Sequence, residues 1–119
     1  MSPDEKGDIA SLGDLTAACL RVMDYVRGRS RSGLNQDDLM LSACCYQIAV
    51  IGEAVKRVSP ATRSKHPEVP WRDIAGMRDR LIHGYDSVDL DELWKTATED
   101  VSELLEHVRA ILAKDFEQG

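Results

Sequence analysis

Aromatic residues, cysteines and long apolar runs are all scarce in this chain of 119 residues. With one Phe, two Trp and three Tyr, the chain offers little for nucleic-acid binding by base stacking. No run approaches the roughly 18 apolar residues that a membrane-spanning helix needs. Residues 1–13 lack the basic and apolar regions of a signal peptide. We therefore expect a cytoplasmic protein without a membrane partner.

The three cysteines are an odd number, and two of them are adjacent within an apolar stretch. Neither a C-x-x-C pair nor a Cys/His spacing typical of zinc sites occurs. We expect no disulfide framework and no metal site, and we interpret Cys19, Cys44 and Cys45 as residues of the core.

Charge is unevenly distributed along the chain. The totals are 15 Lys and Arg against 21 Asp and Glu, a net charge of −6, which argues against a protein that coats nucleic acid broadly. Residues 56–85, here called the basic segment, contain seven basic and three acidic residues, whereas residues 86–119 contain three and ten. The basic segment is either a set of solvated helix faces or a local binding site for a polyanion.

Apolar residues recur at helical intervals along most of the chain, and no segment shows sustained strand-like alternation. The pattern predicts one all-α domain over residues 1–119, an up-and-down bundle of four main helices and one short helix. Residues 1–8 are a candidate disordered tail, and His66 is expected to lie in an exposed loop. The predicted helices begin at Ile9, after Asn35, at Pro60 (the short one), at Pro70 with an end at Gly84, and after Asp89.

Within the basic segment, Arg78 and His83 have the side chains that metal-free RNA cleavage requires. A guanidinium is a permanent cation with a donor fork suited to phosphate oxygens. An imidazole can take or give a proton near neutral pH. Arg78 and His83 are five positions apart, which on a continuous α-helix leaves a net rotation of about 140° between them, so they would not share one face. Either the helix unwinds near Gly84, or the residues of two chains meet. The alternative is an ordinary surface arginine and a histidine near a helix end.

Residues 78–85, R-D-R-L-I-H-G-Y, resemble the R-x4-H-x-Y signature of the HepT-like branch of the HEPN superfamily. That branch is the toxin half of HEPN–minimal-nucleotidyltransferase modules. Residues 51–57 resemble its I-G-E-A-x-K-R segment, and residues 66–74 resemble its H-P-x-[IV]-P-W-x-x-I segment. The similarity covers about residues 45–110, while the first helix departs from the family pattern.

The resemblance implies a HEPN-like fold that forms a homodimer, with the two signature motifs near a shared cleft. It also implies metal-independent RNase activity. Arg78 and His83 fall on the catalytic positions, and Asp79 falls on a supporting polar position. Tyr85 falls on the tyrosine that a partner nucleotidyltransferase modifies with AMP.

These implications predict a toxin component whose ribonuclease activity, endo- or exonucleolytic, is inactivated by AMPylation. Its partners are an RNA substrate and a minimal nucleotidyltransferase antitoxin. We expect no cofactor in this chain, because the partner uses the ATP. Further candidate RNA contacts are Arg80 and Arg72. The alternatives are a non-catalytic HEPN adaptor subunit of a nucleotidyltransferase complex and a plain helical oligomerisation protein.

Overall fold

Three long helical stretches dominate the computed structural model, which describes residues 1–83 and 87–116. The third stretch, called the C-terminal helical stretch, covers residues 90–116. It includes two π-helical turns, Thr96–Asp100 and Leu112–Phe116. The all-α class predicted from the sequence is confirmed. In chain order the elements are α1 (Pro3–Val26), α2 (Arg31–Asn35), α3 (Asp38–Arg57), α4 (Pro60–Lys65), α5 (Trp71–Ala75), α6 (Met77–Leu81), β1 (Ile82–His83), β2 (Ser87–Val88), α7 (Leu90–Lys95) and α8 (Val101–Ile111).

Helix α1 begins with a reciprocal capping box. The hydroxyl of Ser2 accepts a hydrogen bond from the backbone N–H of Glu5 at 3.1 Å, and the Glu5 carboxylate accepts one from the N–H of Ser2 at 3.3 Å. The helix therefore starts inside residues 1–8, the stretch regarded as a candidate tail. Asp8 is already buried, with 2% of its surface exposed.

Asp8 connects α1 to the start of α4. Its carboxylate accepts hydrogen bonds from the N–H and hydroxyl of Ser59, at 2.8 and 2.6 Å, and from the hydroxyl of Thr62 at 2.6 Å. Burial alone would raise the pKa of Asp8, but these bonds and the nearby charge of Arg63 outweigh it and hold the pKa below its ordinary value of 3.8.

The core lies between α1, α3 and the C-terminal helical stretch. Helix α1 packs along α3 on one side and against α8 on the other. Helix α8 shows the pattern most clearly, because its apolar residues recur every three or four positions on one buried face. Those residues are Val101, Leu104, Leu105, Val108 and Ile111.

Helix α3 is long and apolar enough to cross a bilayer when judged by length and composition alone. Central helices of packed bundles pass the same test. Here α3 contacts α1, α5 and α6, so it lies at the centre of the bundle.

The predicted helix over residues 70–84 is divided, so the bundle differs from the predicted four main helices. Gly76 ends α5 and precedes α6, with φ −93° and ψ 2°. Its N–H is shared between the carbonyls of Arg72 and Asp73, each at 3.2 Å. This conformation is open to any residue, and a Cβ added here would meet only ordinary contacts, so what glycine contributes to the break is its weak helix propensity. Sequence reasoning also missed α2, and it placed the cap of α3 at Asn35 rather than at Asp37.

After Leu81 the chain leaves the helical conformation and forms a minimal antiparallel ladder. Ile82 pairs with Val88, and His83 pairs with Ser87. The N–H of Asp89 donates to the carbonyl of Leu81 at 2.7 Å, which closes the hairpin base. The predicted helix end at Gly84 lies outside the described residues.

Candidate functional site

The signature residues lie on two different elements. Arg78 is on α6 and His83 is on β1, two residues beyond the end of that helix. The rotation expected for a continuous helix therefore does not apply between them. The structure shows unwinding, one of the two arrangements considered from the sequence, but three residues earlier than Gly84. Tyr85 lies outside the described residues.

Arg78 presents an exposed guanidinium with one weak ion-pair partner. Its side chain is 53% exposed, and its Nη1 lies 3.5 Å from Oδ1 of the neighbouring Asp79. Exposed ion pairs of this kind contribute little, about 0–1 kcal/mol, so a phosphate could replace the carboxylate at small cost. Burial raises the pKa of the Cys45 thiol while the Arg78 charge acts in the opposite direction, which places Arg78 near the middle of α3.

His83 is exposed on the ladder, opposite Ser87. The ladder fixes its backbone, and the exposed imidazole can reach a ligand in solvent.

Arg80 is bound within the protein. Its Nη1 donates to the carbonyl and to the carboxylate of Asp73, both at 3.0 Å, and its Nε lies 3.5 Å from Oε1 of Glu92. These contacts tie α6 to α5 and α7. Because two carboxylates already surround it, Arg80 is a weaker candidate for an RNA contact than Arg78.

Arg72 is exposed on α5 and lines a cleft together with Lys56 and Arg63. All three belong to the basic segment, but the sequence singled out only Arg72 of the three as a candidate RNA contact. The sequence feature that could have indicated their grouping is the spacing of basic residues on either side of Pro60 and Pro67. Spacing alone does not show which faces of separate helices meet.

The prediction that His66 is exposed was wrong. Only 5% of its surface is accessible, and its carbonyl accepts a hydrogen bond from Nε1 of Trp71 at 2.9 Å. Its ring nitrogens lie 3.1 Å from a carboxylate oxygen of Glu68 and 2.7 Å from one of Asp115. Asp115 is 49 residues away in the sequence, so no local pattern could reveal this contact.

Within residues 1–83 and 87–116, no group of three or more His, Cys, Asp or Glu side chains is arranged to hold a metal ion. The thiols of Cys19 and Cys44 are unreactive because they are buried. Burial raises the pKa of Cys19 to about 12 and that of Cys44 to about 11, so neither is a ready metal ligand or nucleophile near neutral pH.

Comparison with known proteins agrees with the signature. A family model described as ribonuclease HepT-like matches residues 15–111. The chain is 49% identical over 93 residues to a candidate HepT ribonuclease of Thermococcus cleftensis, and the aligned region covers 78% of this chain and 84% of that relative. It is 38% identical over 97 residues to a candidate RNase of Caldanaerobacter subterraneus subsp. tengcongensis, which covers 82% and 87%. No solved structure matches the chain. The chain therefore belongs to the HepT-like ribonuclease family.

Proposed function

We propose that this chain is a metal-independent ribonuclease whose site is centred on Arg78 and His83. The observation that carries the proposal is the end of α6 at Leu81, which leaves an exposed guanidinium on the helix and an exposed imidazole just beyond it. Membership of a family of ribonucleases supports the same activity.

The chemistry follows from these two side chains. His83 takes the proton of a ribose 2′-OH, and the oxygen attacks the adjacent phosphorus as the bond to the 5′-oxygen breaks. The protonated imidazole returns a proton to the leaving 5′-oxygen, and the other fragment ends in a cyclic phosphate. Arg78 stabilises the charge that develops on the phosphoryl oxygens. Asp79, beside Arg78, limits the positions of the guanidinium until RNA binds.

The proposal is tested by cleavage of labelled single-stranded RNA in the presence of EDTA. His83→Ala and Arg78→Ala should each lower the cleavage rate by about a hundredfold or more, because a general base and a charge stabiliser each contribute that much. Arg21→Ala, an exposed change on α1, serves as the control and should cleave normally. Normal cleavage by His83→Ala would remove this residue from the mechanism. Stable binding of a nucleotidyltransferase without any cleavage would favour the adaptor function.

A second copy of this chain is the proposed partner of the outer face of α3. Leu39 and Tyr46 are exposed there by 82% and 67%, and they lie seven residues apart, two helical turns along one face. An exposed apolar stripe of this kind is typical of an interface.

The dimer is tested by light scattering after size exclusion. Tyr46→Arg should shift the chain from dimer to monomer, because burying an unpaired charge is costly. Ala110→Asp, a charged change on the exposed side of α8, should leave the dimer intact. A monomeric unaltered chain would refute this part of the proposal.

Tyr85 is proposed as the point of control. The phenol oxygen would attack the α-phosphorus of ATP held by a minimal nucleotidyltransferase, pyrophosphate would leave, and the phenol proton would pass to solvent. The adenylyl group would add bulk and negative charge two residues from His83, which repels RNA. Such a pair would act as a toxin and its antitoxin.

Intact mass measured after incubation with the cognate nucleotidyltransferase and ATP tests this control. It should increase by one adenylyl group, and Tyr85→Phe should abolish the increase. An unchanged mass for the unaltered chain would contradict the proposal.

A further inference from the structure

A basic cleft lies between α3, α4 and α5, separate from the signature residues. Each helix contributes one cation: Lys56 from α3, Arg63 from α4 and Arg72 from α5. We infer that this cleft binds the ribose-phosphate backbone of single-stranded RNA and so positions the substrate of the proposed ribonuclease. The inference concerns a second site, although its role in catalysis rests on the proposed function.

The packing of the three helices builds the cleft. At Gly52 a Cβ atom would lie only 3.2 Å from the carbonyl oxygen of Ala75, so glycine allows α5 to approach α3 closely. Lys56 lies one helical turn beyond Gly52 and faces the approaching helix. The hydrogen bonds from Ser59 and Thr62 to Asp8 hold the start of α4 in place, which fixes Arg63. The segments of residues 51–57 and 66–74 therefore meet at this cleft.

The cations of the cleft are largely uncommitted. Among the described residues, no acidic side chain lines the cleft, although the whole chain has a net charge of −6. Lys56 has one carboxylate partner, Glu53 on its own helix at 3.2 Å, and both side chains are more than half exposed. In the described part of the chain, neither Arg63 nor Arg72 forms a salt bridge.

Arg63 has unused hydrogen-bonding capacity. Its Nε is buried and has no partner within residues 1–83 and 87–116. The nearby carboxylate of Asp8 is already occupied by Ser59 and Thr62. Since Nε is closed to solvent, a ligand would contact Arg63 through the part of its side chain that lines the cleft, where the guanidinium donors need acceptors. Phosphate oxygens provide such acceptors.

The cleft favours a phosphate backbone over bases. Trp71 also lines it, but only 8% of this residue is exposed and its indole N–H is already bound to the carbonyl of His66. It therefore presents little surface for stacking, and recognition rests on charge. Trp71 and Arg72 also line a neighbouring depression that reaches Arg80 on α6 and includes Asp73, the carboxylate partner of Arg80. A strand in the cleft thus has a surface path toward the helix that carries Arg78.

The test measures RNA binding separately from RNA cleavage. A chain with His83→Ala, which does not consume the probe, is titrated against a fluorescein-labelled single-stranded RNA of about 20 nucleotides at several salt concentrations. Adding Lys56→Gln and Arg72→Gln should weaken binding about tenfold at low salt. It should also lower the slope of log K against log salt by about 1.4, since each phosphate contact contributes about 0.7. Lys56→Arg with Arg72→Lys should keep most of the affinity.

A control removes the same charge elsewhere. Arg21→Gln with Arg109→Gln alters exposed residues of α1 and α8 and should leave both the affinity and the slope near their original values. An equal loss in this control would show that only net charge matters and would overturn the cleft. Unchanged RNA binding after Lys56→Gln and Arg72→Gln would overturn it too, and lost binding of a nucleotidyltransferase would then identify a protein interface.

Cleavage by the unaltered chain provides a separate result. RNA binding that depends on the cleft, without cleavage by the unaltered chain, would refute the proposed ribonuclease and retain the cleft. If the unaltered chain cleaves RNA but the cleft variants bind RNA normally, the ribonuclease is retained and the cleft is refuted.

Discussion

Nε2 of His66 lies 2.7 Å from Oδ2 of Asp115, which joins the loop before α5 to the end of the C-terminal helical stretch. Both side chains are more than nine-tenths buried. The contact also helps to hold the start of α5, because the indole N–H of Trp71 donates to the carbonyl of the same histidine. The position of the signature helix thus depends in part on a residue near the end of the described chain.

Asp115→Ala should lower the free energy of unfolding by about 1–3 kcal/mol, because a buried imidazole group loses its hydrogen-bond partner. Urea denaturation followed by circular dichroism measures the change. A double-mutant cycle with His66→Phe isolates the pair, and the coupling energy should be of the same order. Asp24→Ala removes the exposed partner of Arg27 and should cost less than about 1 kcal/mol. A coupling energy near zero would show that the contact does not stabilise the fold.

Asp8→Asn should destabilise the chain by about 1–3 kcal/mol near neutral pH, because a charged acceptor of three hydrogen bonds is replaced. The pKa of Asp8 is lower in the folded chain than its ordinary value of 3.8. Its contribution is therefore complete above that value and is lost as the pH falls through the folded pKa. Urea midpoints measured from about pH 7 down to pH 3 should show the difference shrinking below about pH 4. Asp14→Asn, an exposed change on the same helix, serves as the control; a pH-independent difference would refute this account.

The sequence predicted those features that depend on residues close together in the chain. Ser59 caps α4 by accepting from the N–H of Thr62, and Asp89 caps α7 by accepting from the N–H of Glu92, so both helices begin where the sequence predicted. The signature segment was also recognisable, because its spacing is a linear pattern.

The remaining features depend on tertiary contacts. The division at Gly76 is accompanied by a bond between two elements, since Arg80 on α6 donates to the carbonyl of Asp73 on α5 across the break. The ladder that carries His83 is closed by Asp89, and the burial of His66 needs Asp115. The grouping of Lys56, Arg63 and Arg72 required three helices to be placed relative to one another. Helical periodicity alone contains none of this information.

The cysteines should differ in reactivity. Cys19 and Cys44 are fully buried with pKa values raised to about 12 and about 11. Cys45 is only partly buried, so it should be the first thiol to react with an aromatic disulfide reagent at mildly alkaline pH. Cys45→Ser should abolish that first reaction, and all three thiols of the unaltered chain should react in denaturant. Rapid reaction of two or three thiols in the native chain would contradict the described packing.

Two glycine substitutions on different helices should have opposite effects. At Gly13 on α1 an added Cβ meets nothing within 4 Å, so Gly13→Ala should stabilise the chain by up to about 1 kcal/mol through helix propensity. At Gly52 the new Cβ would meet a backbone oxygen of Ala75 at 3.2 Å, and the neighbouring helix would have to move. Gly52→Ala should therefore lose the gain in propensity and destabilise the chain by about 1–3 kcal/mol, as overpacking does.

The same shift of α5 moves Arg72 away from Lys56, so RNA affinity should also fall under conditions in which the protein remains folded. Urea denaturation and the RNA titration measure the two effects. Stabilisation by Gly52→Ala equal to that by Gly13→Ala would show that α3 and α5 are not held in close contact.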